Sequence, residues 1–186
     1  MVLKPDDYDF GDASNYSFAN EITCRNDETR KMYILAHGHM LNYNHEEAIA
    51  CFQKCTELDP DCAMAWWGIA YCLSSNYNWS PGLGSGHDPI QQAMSLKDKC
   101  TELEQDLINA LAERHSEEAR DAADPSVLNM GNSPELNIAF ADAMAPLYEK
   151  YKGNLDVTAI YVEALMNLKA WQLWDKNTKT GEITPA

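Results

Sequence analysis

From Asp27 onward the apolar residues return at helical intervals. Met32, Leu35, Ala36 and His39 share one face before "LNYN" (41–44) ends the helix. Asn44 then stands as N-cap of a second helix, with Glu46 and Glu47 in its first turn, where the helix dipole favours acids. That helix turns Ala48, Ile49, Phe52 and Cys55 inward and stops at "LDPD". A third runs from about Cys62 to Leu73 through "AMAWWGIAYCL". The segment 74–89, "SSNYNWSPGLGSGHDP", is too rich in Gly, Ser and Pro for a helix and reads as an inserted loop. Helical spacing resumes at about Ile90 to Cys100. Thr101 with Glu104 then forms a capping box, opening a helix that buries Leu103, Leu107, Ile108 and Leu111. "HSEEARDAADPSVLNMGN" is a second loop. Ser133 and Pro134 begin a helix carrying Leu136, Phe140, Ala143, Leu147 and Tyr151. After "KGN" a last helix carries Ile160, Tyr161, Ala164, Leu165 and Leu168, and "DKNTKTGEITPA" has no apolar periodicity. The pattern predicts an all-α fold of antiparallel helical hairpins. An extended acidic arm (1–26) precedes the helical domain (27–175), and a tail (176–186) follows it.

The first three helices share a repeat register. Ala48 is followed by Phe52 four residues on, by Pro60 eight further, by Trp66 after six more and by Ile69 after three. This is the spacing of a tetratricopeptide repeat (TPR). In that motif Ala48 allows close helix approach, Phe52 fills the hairpin, Pro60 stops the helix, and Trp66 is expected to seal the joint between repeats. Ala143, Leu147, Leu155 and Tyr161 repeat the spacing in degraded form. "NYNHEEAIACFQKCTELDPDCAMAWWGIAY", "ELEQDLINALAERH" and "YVEALMNLKAWQLWD" resemble an uncharacterised family of TPR proteins of bacteria and fungi, over roughly 30–175. Members of that family continue through further repeats, so the resemblance implies an N-terminal portion of a TPR-like α-solenoid. It implies a fold and no particular activity.

Composition narrows the function classes. The net charge of -15 repels phosphate backbones and anionic lipid, which argues against nucleic-acid and membrane partners. No apolar run approaches the ~18 residues of a membrane helix, and the acidic start is no secretory signal. A cytoplasmic protein with reduced thiols is expected. None of the six cysteines forms a C-x-x-C pair, and the N-x-S matches at Asn15 and Asn78 are then not glycosylated.

"HGHMLNYNH" (37–45) gathers three of the five histidines. His37 and His39 lie two apart on a helix and point apart. The reading favoured by spacing is a hairpin corner, with His39 and His45 hydrogen-bonded to Asn42 or a carbonyl. The alternative is a metal pair of His39 and His45. Cys51 and Cys55, four apart, read as core thiols rather than metal ligands.

The repeat register places Tyr33, His37, Met40, Trp67 and Tyr71 on one concave groove, aromatic and thioether-rich. A partner protein or peptide segment, apolar with basic flanks, fits that groove. So do the chain's own arm, its C-terminal repeats or a second copy. The alternative function is the N-terminal part of a small-molecule- or metal-dependent enzyme whose site needs further repeats. His45, Trp67, Asn76 and Asn78 would line its pocket. Glu163, with Trp171 and Trp174 nearby, is a further pocket candidate. No phosphate-binding motif or cofactor signature is present: "GLGSGH" lacks the lysine of a P-loop.

Overall fold

The structure, a computed structural model, describes residues 21–78, 82–115, 134–177 and 179–185. The arm up to residue 20, the expected loop over 116–132, the Ser133 cap and Asn15 lie outside the described residues. Seven α-helices are described: α1 (Asp27–Leu41), α2 (His45–Leu58), α3 (Ala63–Leu73), α4 (His87–Leu96), α5 (Glu102–Arg114), α6 (Pro134–Lys150) and α7 (Leu155–Leu168). A 3-10 turn, Lys97–Lys99, continues α4. The described residues are thus mostly helical. Each helix packs chiefly on its successor, and α1 with α3 and α3 with α5 also touch.

The ends of the helices follow local chemistry. The Asn26 side chain accepts from Thr29 N–H at 2.8 Å, and Asn154 accepts from Val157 N–H at 3.0 Å. Thr101 and Glu104 make the reciprocal capping box. Glu104 also accepts from the Thr23 amide (2.6 Å) and hydroxyl (2.7 Å), so this cap doubles as the anchor for the strand leading into α1. Asn44 precedes α2 as expected, yet its side chain makes no cap bond. Instead the chain turns through Tyr43 at φ 60, and the Asn44 amide donates to the His39 carbonyl at 2.9 Å.

Ala48 and Phe52 are buried between α1, α2 and α3. The Phe52 ring lies over Gly68, where a Cβ would fall well inside van der Waals contact with the ring, so only glycine admits it there. The two tryptophans depart from expectation. Trp67 is fully buried, whereas Trp66 is half-buried with its indole N–H on the Pro60 carbonyl at 3.2 Å. Every residue of α3 from Ala63 to Cys72 except Trp66 is buried, so the helix is enclosed nearly all round rather than along one face.

Two further departures occur near the C-terminus. Trp174–Lys176 (β1) pairs antiparallel with Ile183–Pro185 (β2) in a small hairpin. Its turn is held by Asn177, whose side chain accepts from the amides of Lys179 and Thr180. On α7, Val157, Ile160 and Ala164 face inward, while Leu165 and Leu168 are exposed.

Candidate functional site

The five residues expected to line an open groove lie on α1 and α3 and are all buried. Tyr33 packs edge-on against Phe52 at 5.4 Å and near-parallel to His37 at 6.0 Å. Trp67 stacks on Tyr71 at 5.2 Å and donates its indole N–H to the Leu107 carbonyl of α5 at 3.0 Å. Tyr71 meets Phe140 of α6 edge-on and donates its hydroxyl to the Glu163 carboxylate of α7. Met40 completes the buried set. His37 lies 3.6 Å from Asp156, also on α7. The expected face therefore exists, but α5, α6 and α7 of the same chain cover it. This corrects the expectation of a free groove: one apolar, aromatic surface is more stable buried by the chain itself than left in water.

Behind that face runs a buried polar network. Arg114, at the end of α5, donates to the Ser75 carbonyl (2.8 Å), the Ser75 hydroxyl (2.8 Å) and Asn137 Oδ1 (2.6 Å). Its guanidinium lies over the Phe140 ring, 5.5 Å from the centroid. Burial pulls its pKa down, with Tyr71 and Glu163 opposing. The Glu163 carboxyl is pushed above its ordinary range by burial, while Tyr71 and Arg114 work against that shift. Glu163 stood out in the sequence only by its neighbours. Arg114 gave no signal, because a basic residue in a last helical turn ordinarily serves the dipole from the surface.

His45, Asn76 and Asn78 are brought together. With Tyr43, Asn44, Glu46, Glu47 and Leu83 they line a cleft of about 420 Å³ between the start of α2 and the α3–α4 loop. Trp67 is not among its walls. The Asn78 amide donates to Asn76 Oδ1 at 2.9 Å, which fixes the orientation of that side-chain amide. Asn76 Nδ2 then faces His45 Nδ1 at 3.2 Å and donates to it. His45 is accordingly neutral, with its proton on Nε2. Burial lowers its pKa in the same direction. Tyr43 stacks on His45 at 5.8 Å, and its phenol is pushed up to about 12 by burial and by the nearby Glu163 and Tyr77. Leu83 is delivered by the loop, where the amides of Leu83 and Gly84 both donate to the Leu73 carbonyl. Gly82, at φ 70, allows this: a Cβ there would lie 2.8 Å from that carbonyl oxygen. The glycines of "GLGSGH" thus dock a loop on the end of α3.

His45 takes Asn76 as partner rather than Asn42, whose side chain donates to the Gly38 carbonyl at 2.8 Å. Among the described residues no group of three or more His, Cys, Asp or Glu is placed to hold a metal ion. Cys51 and Cys55 are buried free thiols. Burial pushes the Cys51 pKa up to about 11 and that of Cys62 to about 12, so both stay protonated at neutral pH. No helix of the described residues is long and apolar enough to cross a membrane. In comparisons with known proteins no family model, no curated protein and no solved structure matches the chain.

Proposed function

We propose that this chain is a TPR-like α-solenoid acting as a protein-interaction module, and that its cleft at Tyr43, His45, Asn76 and Asn78 receives a basic residue flanking an apolar segment of a partner. The solenoid reading is supported by the successive packing of each helix on the next, with α1 touching α3 and α3 touching α5. The cleft reading is carried by one observation. The charged walls of the 420 Å³ cleft are Glu46 and Glu47, in a chain of net charge -15. Tyr43 and Leu83 offer apolar contact for the stem of a lysine or arginine, and the Asn amides offer acceptors for its head.

The test is a titration by fluorescence anisotropy with two short peptides of the same leucine-rich centre, one flanked by arginines and one by glutamates. The arginine peptide is expected to bind, and binding should weaken as salt is raised. Glu46→Gln with Glu47→Gln should weaken it by about ten-fold, the effect of roughly 1.4 kcal/mol. Equal binding of both peptides, or indifference to the double substitution, would sink the reading.

A further inference from the structure

The helix α7 has three distinct sectors. Val157, Ile160 and Ala164 are buried in the core. Asp156 and Glu163, seven residues apart, reach His37 of α1 and Tyr71 of α3. The third sector is apolar and uncovered: Leu155 is 73% exposed, Val162 47%, Leu165 43% and Leu168 39%. These four fall within a sector of about 140° at 100° per residue, so they form one stripe along the helix. Beyond the end of the helix Trp171, Trp174 and Ile183 are also exposed, each by more than 60%. Trp171 is not loosely held. Its backbone sits at φ 62, and its indole stacks on Tyr77 at 5.2 Å while leaving most of its surface open. Trp174 is tied into the hairpin opposite Pro185.

We infer that this surface is the two-fold interface of a homodimer, with α7 of one copy packed antiparallel against α7 of a second. Charge decides the occupant. Residues 149–186 contain five lysines (150, 152, 169, 176 and 179) and five acids (149, 156, 163, 175 and 182). That part is neutral, and the whole net charge of -15 resides on the residues before it. A basic partner is drawn to the acidic remainder of the molecule, not to this face. Two copies of net charge -15 repel each other, and the repulsion is least in an approach that brings neutral, apolar faces together. A stripe that runs the length of a helix is self-complementary about a two-fold axis: the Leu155 end of one copy lies beside the Leu168 end of the other. Four large apolar side chains on the stripe, followed in the chain by two exposed tryptophans, have the apolar and aromatic character of an interface centre.

The inference stands independently of the cleft, and salt separates the two. Sedimentation velocity of the full chain between about 1 and about 100 µM should show a species of about twice the 20.9 kDa monomer. Association should strengthen with added salt, because screening relieves the repulsion between two acidic bodies, whereas peptide binding in the cleft weakens. Leu165→Glu, on the stripe, and Trp171→Glu, three residues beyond its end, each place a charge on this surface, and each should weaken dimerisation by about ten-fold or more. Both positions are exposed, so circular dichroism and thermal midpoint should stay near those of the parent. A single-chain mass throughout the concentration range overturns the inference, as does a dimer indifferent to both substitutions. A monomer whose Trp171 is nonetheless shielded from an aqueous quencher would assign the face to a segment of the same chain and overturn it equally.

Discussion

Adjacent tryptophans on one helix cannot share a face, and burial shows which one carries the core. Trp67→Ala removes a fully buried indole and its hydrogen bond to the Leu107 carbonyl, so it should cost ~3–5 kcal/mol in urea denaturation. Trp66→Ala removes a half-buried ring and should cost about 1 kcal/mol or less. The reverse ranking would show that the face of α3 has been misplaced. Glu163 makes a prediction of the opposite kind. Its carboxyl is held above the ordinary value by burial. Such a group contributes fully to stability below the ordinary value of 4.5, where it is protonated in both states. That contribution is lost as pH rises through the raised folded value, where ionisation becomes costly in the interior. The groups around it are Tyr71 and Cys72 of α3, Tyr43, Arg114 of α5 and Asn167 of its own helix. Glu163→Gln keeps an acceptor for the Tyr71 hydroxyl and cannot ionise. Relative to the parent, its thermal midpoint should therefore rise as pH goes from about 4 to about 7. A variant that loses ground to the parent over that interval would mean that the pairing with Arg114 outweighs burial.

Between helices, a few buried polar contacts add to the apolar packing. Arg114 joins the end of α5 to the loop after α3 through Ser75 and to α6 through Asn137. Neither of these connections follows from helix periodicity, which fixes only the apolar faces. Arg114→Met keeps much of the volume, but leaves the Ser75 and Asn137 acceptors without their donor and Glu163 without its nearby cation. A loss of ~2–4 kcal/mol is expected by chemical denaturation. Because part of that loss is the unopposed carboxyl, adding Glu163→Gln should recover a measurable share, read as non-additivity in the double-mutant cycle. Strict additivity would show that Arg114 and Glu163 do not sense one another. The inserted loop is also specified by backbone contacts that its composition does not announce. Gly82 and Gly86 each approach a carbonyl of α3 within 3 Å of where a Cβ would be, so "GLGSGH" packs on α3 and brings Leu83 to the cleft.

Over the full span of the fold, the last helix returns to the first. Asp156 lies 3.6 Å from His37 of α1, and Glu163 accepts from Tyr71 of α3, so polar side chains of the last helix reach back past its neighbour. A row of helices touching only nearest neighbours can unfold from its ends. Side-chain contacts from α7 back to α1 and α3 add links between non-neighbours, and the expected outcome is a single unfolding event. Far-ultraviolet circular dichroism and tryptophan fluorescence should then give coincident denaturation curves. Separate transitions, with Trp171 and Trp174 reporting before the helical signal, would show α7 melting alone.

Local pattern was enough to specify the helices, the capping box at Thr101 and Glu104, and the close packing of Ala48 and Phe52. Each rests on periodicity or on contacts within one hairpin, where residues a few positions apart are neighbours whatever the rest of the chain does. The residue types around the hairpin corner and the loop also pointed to His45, Asn76 and Asn78, which the structure gathers around one cleft. Which tryptophan lies inside was not legible in this way, because it depended on α5 covering the Trp67 side of a helix that is apolar all round. Nor was the covering of Tyr33, His37, Met40, Trp67 and Tyr71. Whether an apolar face stays open depends on distant helices: Leu107 is 40 residues from the Trp67 it meets, and Glu163 is 92 from Tyr71. The stripe on α7 is the converse case: Leu155, Val162, Leu165 and Leu168 have the spacing of a core face, and they remain exposed because no described element packs over them.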